Sequence, residues 1–217
     1  MYKTVLFDLD GTLLNTIDDL ADAGNRLCAA RGWPIHPVAA YRYFVGNGIP
    51  KLIERITPGQ ARTPAVLADA YRDFDADYKR HMLDKTAPYP GLPALLAQLK
   101  AAGVQMAVFS NKDDALARGV VAHYYDDALF AAVRGALPGV PHKPAPEGTL
   151  ALLNALGADP AATLYVGDSN VDVATAKNAA LPCCGVLWGF RTAEELKAAG
   201  ADYLAADAAA LGRVILG

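Results

Sequence analysis

The sequence predicts an α/β fold: a Rossmann-like parallel sheet flanked by helices, with a small inserted α-helical cap domain. Three observations predict it. From residue 89 onward, short apolar runs alternate with amphipathic stretches, the pattern of parallel strands joined by crossover helices. One apolar run, residues 4–7, stands apart near the N-terminus, and residues 15–84 show helical periodicity with no strand pattern. The length, 217 residues, exceeds the usual single domain and falls short of two full ones, which fits one domain carrying a large insertion.

In chain order, Thr4-Val5-Leu6-Phe7 reads as a fully buried strand that ends abruptly in the polar loop Asp8-Leu9-Asp10-Gly11-Thr12. Ile17, Leu20, Leu27 and Cys28 then recur at helical spacing, with Asn15 and Thr16 as capping candidates and Asp18 and Asp19 favourable in the first turn. Ile49, Leu52, Ile53 and Ile56 form a second stripe, and Leu67, Ala70, Tyr71, Phe74, Tyr78 and Met82 a third. Residues 92–102 form an amphipathic helix closed by Gly103, followed by a buried strand over 104–109. Further on come the least marked strand, 131–133, a helix over 146–156 closed by Gly157, a strand over 163–166 and a helix over 171–180. Strands over 183–187 and 201–204 flank a helix at 193–199, and the Ala-rich stretch 205–210 reads as a helix surface. The expected domains are an α/β core of residues 1–14 and 85–217 and an α-helical cap of residues 15–84.

Composition excludes several classes of function. Lys plus Arg number 20 against 23 Asp plus Glu, a net charge of −3, and no basic block is present to track a nucleic-acid backbone or an anionic membrane. The longest stretch free of charged, amide and hydroxyl side chains, residues 179–190, has 12 residues and is broken by Pro182, Gly185 and Gly189, too short to span a bilayer. Only residues 4–7 separate Lys3 from Asp8, too few for the apolar region of a secretory signal, so a cytoplasmic protein is expected. Cys28, Cys183 and Cys184 lack metal-ligand spacing and read as small buried apolar side chains. His36, His81 and His123 also lack ligand spacing and read as structural; His142 is set apart only by its neighbour Lys143.

In open parallel sheets ligands sit beyond the carboxyl ends of the strands. Four such ends carry chemistry: Asp8 and Asp10; Ser110-Asn111-Lys112; His142-Lys143-Pro144; and Gly167-Asp168-Ser169 with Asp172 beyond. Asp8 and Asp10 are two apart in extended chain, so both side chains point to one side, and Gly11 permits an immediate turn. With Asp168 and Asp172 added, the cleft gathers more negative charge than it tolerates without a cation, and a site shared with substrate phosphate suits Mg²⁺. Lys143 supplies fixed positive charge, and Ser110 with nearby backbone N–H groups can hold phosphoryl oxygens. Together these are the parts of a phosphoryl-transfer site.

Asp8-Leu9-Asp10-Gly11-Thr12-Leu13, Ser110-Asn111, Lys143-Pro144 and Gly167-Asp168-Ser169-Asn170-Val171-Asp172 resemble the four motifs of the haloacid-dehalogenase superfamily, most of whose members are Mg²⁺-dependent phosphatases. The helical insertion matches that superfamily's small α-helical cap. Leu13-Leu14-Asn15-Thr16, Val45-Gly46-Asn47-Gly48 and Trp188-Gly189-Phe190-Arg191 are most similar to phosphoglycolate phosphatases. The sequence departs from that group at Ser110, where Thr is common, and at Asp113, where Pro is common; Ser keeps the hydroxyl.

The resemblance implies that Asp8 is the nucleophile, forming an aspartyl-phosphate, and a metal ligand. It implies that Asp10 is the acid and base, with its backbone carbonyl on the metal, that Asp168 is a direct ligand, and that Asp172 is an outer or alternative ligand. Lys143 would restrain Asp8 and join Ser110, Asn111, Gly11 and Thr12 in binding phosphate. Asn47 and Lys51 in the cap would contact the substrate, and Arg55 and Arg191 are further candidates for a second anion. The expected function is Mg²⁺-dependent hydrolysis of a small phosphorylated metabolite, 2-phosphoglycolate first, by a monomer or homodimer. A sugar-phosphate mutase of the same superfamily and a non-catalytic phospho-acceptor module are the alternatives.

Overall fold

The computed structural model describes residues 1–126 and 128–217, in two compact units, Met1–Leu14 with Pro88–Gly217, and Asn15–Ala87. The first strand is Thr4–Phe7 (β1), and two short strands, Leu14–Asn15 (β2) and Ala87–Pro88 (β3), pair with each other. Between β2 and β3 lie four α-helices, Ile17–Ala30 (α1), Val38–Phe44 (α2), Ile49–Ile56 (α3) and Pro64–His81 (α4), with a 3-10 turn at Gly59–Ala61.

Within this smaller unit the apolar stripes turn inward. Leu20, Leu27 and Cys28 of α1, Leu52, Ile53 and Ile56 of α3, and Ala70, Phe74 and Tyr78 of α4 are buried, and α1 and α3 each pack on α4. Helix α2 has no counterpart in the sequence reading, because Tyr41 is its one buried residue and a single buried side chain gives no period. The start of α1 also differs from expectation. Thr16 takes the capping position without a side-chain capping bond, and Asp19 does more than favour the helix dipole. Its buried carboxylate accepts from the Lys85 N–H (3.0 Å), the Thr86 N–H (2.8 Å) and the Thr86 hydroxyl (2.8 Å), stapling the beginning of the unit to its end.

The larger unit continues with Leu92–Ala101 (α5), Gln105–Asp113 (β4), Asp114–Tyr124 (α6), Ala132–Ala136 (β5), Glu147–Leu156 (α7) and Thr163–Gly167 (β6). It closes with Asn170–Asn178 (α8), Cys183–Val186 (β7), Ala193–Ala199 (α9), Tyr203–Ala205 (β8) and Ala208–Leu216 (α10). Six strands form one parallel sheet in the order β5-β4-β1-β6-β7-β8. Leu6, Ala107, Phe109 and Tyr165 bury one face of it against Leu152 and Leu153 of α7, Val173 and Ala176 of α8 and Leu196 of α9. The alternate positions Val5, Phe7, Met106 and Val108 are buried on the opposite face, as the period of two requires. Helix α5 contacts β4, α10 contacts β7 and β8, and the two helices pack together.

Two differences in this unit bear on the site. Strand β4 runs on through Ser110-Asn111-Lys112 to Asp113 instead of ending at Phe109, with a register shift against β5 between Phe109 and Asp113. Strand β5 covers Ala132–Ala136 rather than 131–133. The chain fills one side of β1 with β4 and β5 and then crosses to the other side with β6, so β1 is the topological switch point, where a ligand crevice opens.

Candidate active site at the carboxyl ends of β1, β4 and β6

Asp8 extends the ladder one step beyond β1, its N–H donating to Val166 O at 2.9 Å. The chain then turns: Leu13 and Leu14 donate back to Leu9 O, both at 3.0 Å, and Gly11 takes a left-handed φ of 88°. A side chain at Gly11 is excluded twice over, since a Cβ there would also lie 2.4 Å from Asp168 Oδ2. The turn therefore brings the backbone of the first motif against the carboxylate that follows β6.

Lys143 lies at the centre of the buried charges. Its Nζ is 2.8 Å from Asp8 Oδ1 and 2.7 Å from Asp172 Oδ1, and it donates to Phe109 O at 3.3 Å. Its main chain is held by Asn111, whose Nδ2 donates to Lys143 O (3.1 Å) and whose Oδ1 accepts from the Lys143 N–H (2.8 Å). Asp172 stands in the first turn of α8, where it and Ser169 cap the helix reciprocally. The Ser169 hydroxyl and N–H donate to Asp172 Oδ2 at 2.6 and 3.1 Å. Gly167 permits this approach, since a Cβ there would lie 2.3 Å from Asp172 Cβ.

Asp8, Asp168 and Asp172 are buried, and each offers a carboxylate oxygen within 4.8 Å of the others. Burial, with Asp172 nearby, raises the Asp8 carboxyl to about 7 against the pull of Lys143. Burial, with Asp172 and Asp8, also holds Asp168 well above the carboxylate range. Burial alone would lower Lys143, but Asp172 and Asp8 outweigh it and keep the ammonium charged. One Lys143 charge does not balance three carboxylates. The donor set, three buried carboxylates with oxygens close together, fits a hard divalent cation such as Mg²⁺.

The larger unit brings together Asp8, Asp10, Gly11, Thr12, Ser110, Asn111, Lys143, Asp168 and Asp172. The buried Thr12 hydroxyl donates to Asp168 Oδ1 at 3.5 Å, and Ser110 Oγ accepts from the Lys112 N–H at 3.2 Å. His142 is exposed. Asn47 and Lys51 belong to the smaller unit, where Asn47 Oδ1 accepts from Arg55 (2.9 Å) and Lys51 pairs with Glu54 on the surface (2.7 Å). Arg55 is committed in the same way to Phe44 O at 2.8 Å.

Two features of the site lie beyond the sequence reading. Lys112 pairs with Asp10 at 3.2 Å, and the Phe190 N–H donates to Asp168 Oδ2 at 2.7 Å. The loop carrying Phe190 is pressed onto the first motif: Trp188 Nε1 donates to Thr12 O at 3.0 Å, and a Cβ on Gly189 would lie 2.2 Å from Asp168 Cβ and 2.5 Å from Gly11 O. Gly189→Ala is expected to cost about 2 kcal/mol of stability by overpacking and to lower turnover by displacing Asp168. Urea unfolding and phosphate release measure the two effects separately.

The haloacid dehalogenase-like hydrolase family model matches residues 2–180. A plasmid-encoded phosphoglycolate phosphatase of Cupriavidus necator is 36% identical over 208 residues, covering 92% of this chain and 87% of the relative. The phosphoglycolate phosphatase of Vibrio cholerae is 32% identical, covering 99% of this chain and 97% of its own. Among solved structures, CbbY of Rhodobacter sphaeroides in complex with phosphate has a TM-score of 0.80 and 27% identity, covering 98% of this chain and 97% of that one. With its model matched over most of its length and these relatives aligned nearly end to end, the chain belongs to the haloacid dehalogenase-like hydrolase family, as a phosphoric monoester hydrolase similar to phosphoglycolate phosphatases.

Proposed function

We propose that the enzyme hydrolyses a small phosphomonoester, 2-phosphoglycolate first, in two steps through a phosphoryl group carried on Asp8. The observation that carries this reading is Asp8 itself: a buried carboxylate at the switch point of the sheet, 2.8 Å from Lys143 and clustered with Asp168 and Asp172. The phosphoglycolate phosphatases among its relatives favour that substrate, and the phosphate complex of CbbY favours a phosphate site in this fold.

In the first step an Asp8 oxygen attacks phosphorus while the ester bond breaks, and Asp10 gives the departing oxygen its proton. In the second, Asp10 takes a proton from water, the resulting hydroxide attacks phosphorus, and inorganic phosphate leaves Asp8 as a free carboxylate. Lys143 and Ser110 hold the phosphoryl oxygens, and Lys143 restrains Asp8 throughout. Asn111 acts on the phosphate through Lys143, whose main chain it anchors. Asp8, Asp168 and the Asp10 carbonyl would hold Mg²⁺, with Asp172 outside them; the ion's charge there offsets that of the phosphate and the carboxylates.

The helical unit would act as a cap that restricts the site to small substrates, with Asn47 and Lys51 setting preference. A cytoplasmic setting suits three free, buried thiols. Among the described residues, no helix is long and apolar enough to cross a membrane.

A panel of phosphorylated metabolites assayed for released phosphate tests the reading. The highest kcat/KM is expected for 2-phosphoglycolate, with phosphate release lost in chelator and restored by Mg²⁺. A rearranged sugar phosphate appearing without free phosphate would instead mean a mutase. Full activity in chelator, with metal absence verified by elemental analysis, would remove the metal from the reading.

A further inference from the structure

Lys112 is a buried charge at the site that the two-step reading leaves without a task. Its side chain is 2% exposed, and its Nζ lies 3.2 Å from Oδ1 of Asp10, a side chain 14% exposed. The backbone that presents it is held from two directions. The Lys112 N–H donates to Ser110 Oγ at 3.2 Å, and β5 approaches so closely that a Cβ on Gly135 would lie 2.5 Å from Lys112 O. The same irregular end of β4 thus carries the Ser110 hydroxyl and the Asp10 partner, and the register shift past Phe109 lies in this segment. An ammonium withdrawn from water needs a compensating anion, and an apolar side chain would fill the space without that requirement. Lys143 does not supply the interaction, since its ammonium contacts Asp8 and Asp172.

We propose that Lys112 is a positioning residue for Asp10: by holding Oδ1 it leaves Oδ2 as the oxygen that gives a proton to the leaving group and later takes one from water. The proposal rests on the assignment of Asp10 as the acid and base. Proton transfer in both steps depends on one carboxylate in one orientation, so a loosened Asp10 slows chemistry without weakening substrate binding. The effect should follow the leaving group, because an aryl oxygen departs well without a proton and an alkyl oxygen does not.

The test compares Lys112→Met, which keeps length and removes charge, with Lys112→Arg, Asp10→Asn and the double variants, using 2-phosphoglycolate and an aryl phosphate. Lys112→Met is expected to lower kcat on the alkyl substrate about 10- to 100-fold, with KM changed less than about threefold. On the aryl substrate it should release a burst of aryl alcohol before a slowed steady state. Lys112→Arg should recover part of the loss, and in the Asp10→Asn background neither Lys112 substitution should lower kcat further by more than about twofold. If Lys112→Met does not fold, Lys112→Arg carries the same comparison in both backgrounds.

Losses that multiply in the double variants would overturn the proposal. So would a raised KM for 2-phosphoglycolate at unchanged kcat, which would make Lys112 a substrate contact, or wild-type kinetics in Lys112→Met. Full activity in Asp10→Asn alone would instead refute the acid and base assignment, so the two failures are distinguishable.

Discussion

Asp8→Asn is expected to lower turnover of every substrate by on the order of 10⁴-fold or more, the loss typical of removing a nucleophile. The amide has nearly the shape of the carboxylate, but its oxygen is a poor nucleophile and cannot carry a phosphoryl group as an acyl phosphate. The fold should survive, because Lys143 keeps Asp172 as an anionic partner at 2.7 Å. Stability supplies a second measurement. In the metal-free protein the folded-state value of Asp8 is about 7, above the ordinary 3.8. The folded state therefore holds that proton more tightly than the unfolded chain, and the resulting stabilisation, complete below about 3.8, is lost as the pH rises through 7. Asn does not titrate. The melting temperature of metal-free wild type should thus fall relative to that of Asp8→Asn as the pH is raised from 4 to 8. Residual turnover near wild type would make Asp8 a structural residue, and parallel melting profiles would place its proton elsewhere.

The residues of the site that sequence reasoning could reach are those whose placement follows from local geometry. Asp8 and Asp10 share a side because an extended chain has a period of two, and a buried run ending in Asp-Leu-Asp-Gly marks the end of a strand. Asp168 and Asp172 follow from the same logic at β6, with a helix N-terminus immediately after it. The helical stripes of α1, α3 and α4 were legible because each buries several residues at regular spacing. Helix α2, with Tyr41 alone buried, offered no period to read.

Contacts that depend on tertiary register were out of reach. Lys112 and Asp10 are 102 positions apart, and their pairing depends on β4 continuing beyond Phe109 through a register shift. The apolar run alone ends that strand too early, because Ser110-Asn111-Lys112 is polar yet buried. The Phe190 N–H on Asp168 has no sequence signal, since every residue except proline carries a main-chain donor. Asp19 could be read as a helix-dipole residue but not as the staple to Thr86, 67 positions away. The chemistry was thus legible from side-chain types at strand ends, whereas the contacts that orient those side chains required the fold.

Asp10→Asn should divide the reaction in two. In the proposed sequence Asp10 protonates the leaving oxygen and then deprotonates water, and an amide does neither. Its oxygen can still accept from Lys112, which keeps the hydrogen bond but not the compensating charge, so a loss of stability should accompany the kinetic effect. With an aryl phosphate the leaving group departs without a proton, so transfer to Asp8 should proceed while hydrolysis of the aspartyl-phosphate stalls. Rapid mixing should then show a burst of aryl alcohol approaching one equivalent per active site, followed by steady turnover lowered about 10²- to 10⁴-fold. With 2-phosphoglycolate the unassisted alkoxide leaves badly, so the first step becomes limiting and no burst should appear. The contrast between the substrates separates a lost proton transfer from a damaged site, because damage would remove the burst from both. Normal steady-state rates on both substrates would show that Asp10 is not the acid and base, and the second aspartate of the first motif would then need another explanation.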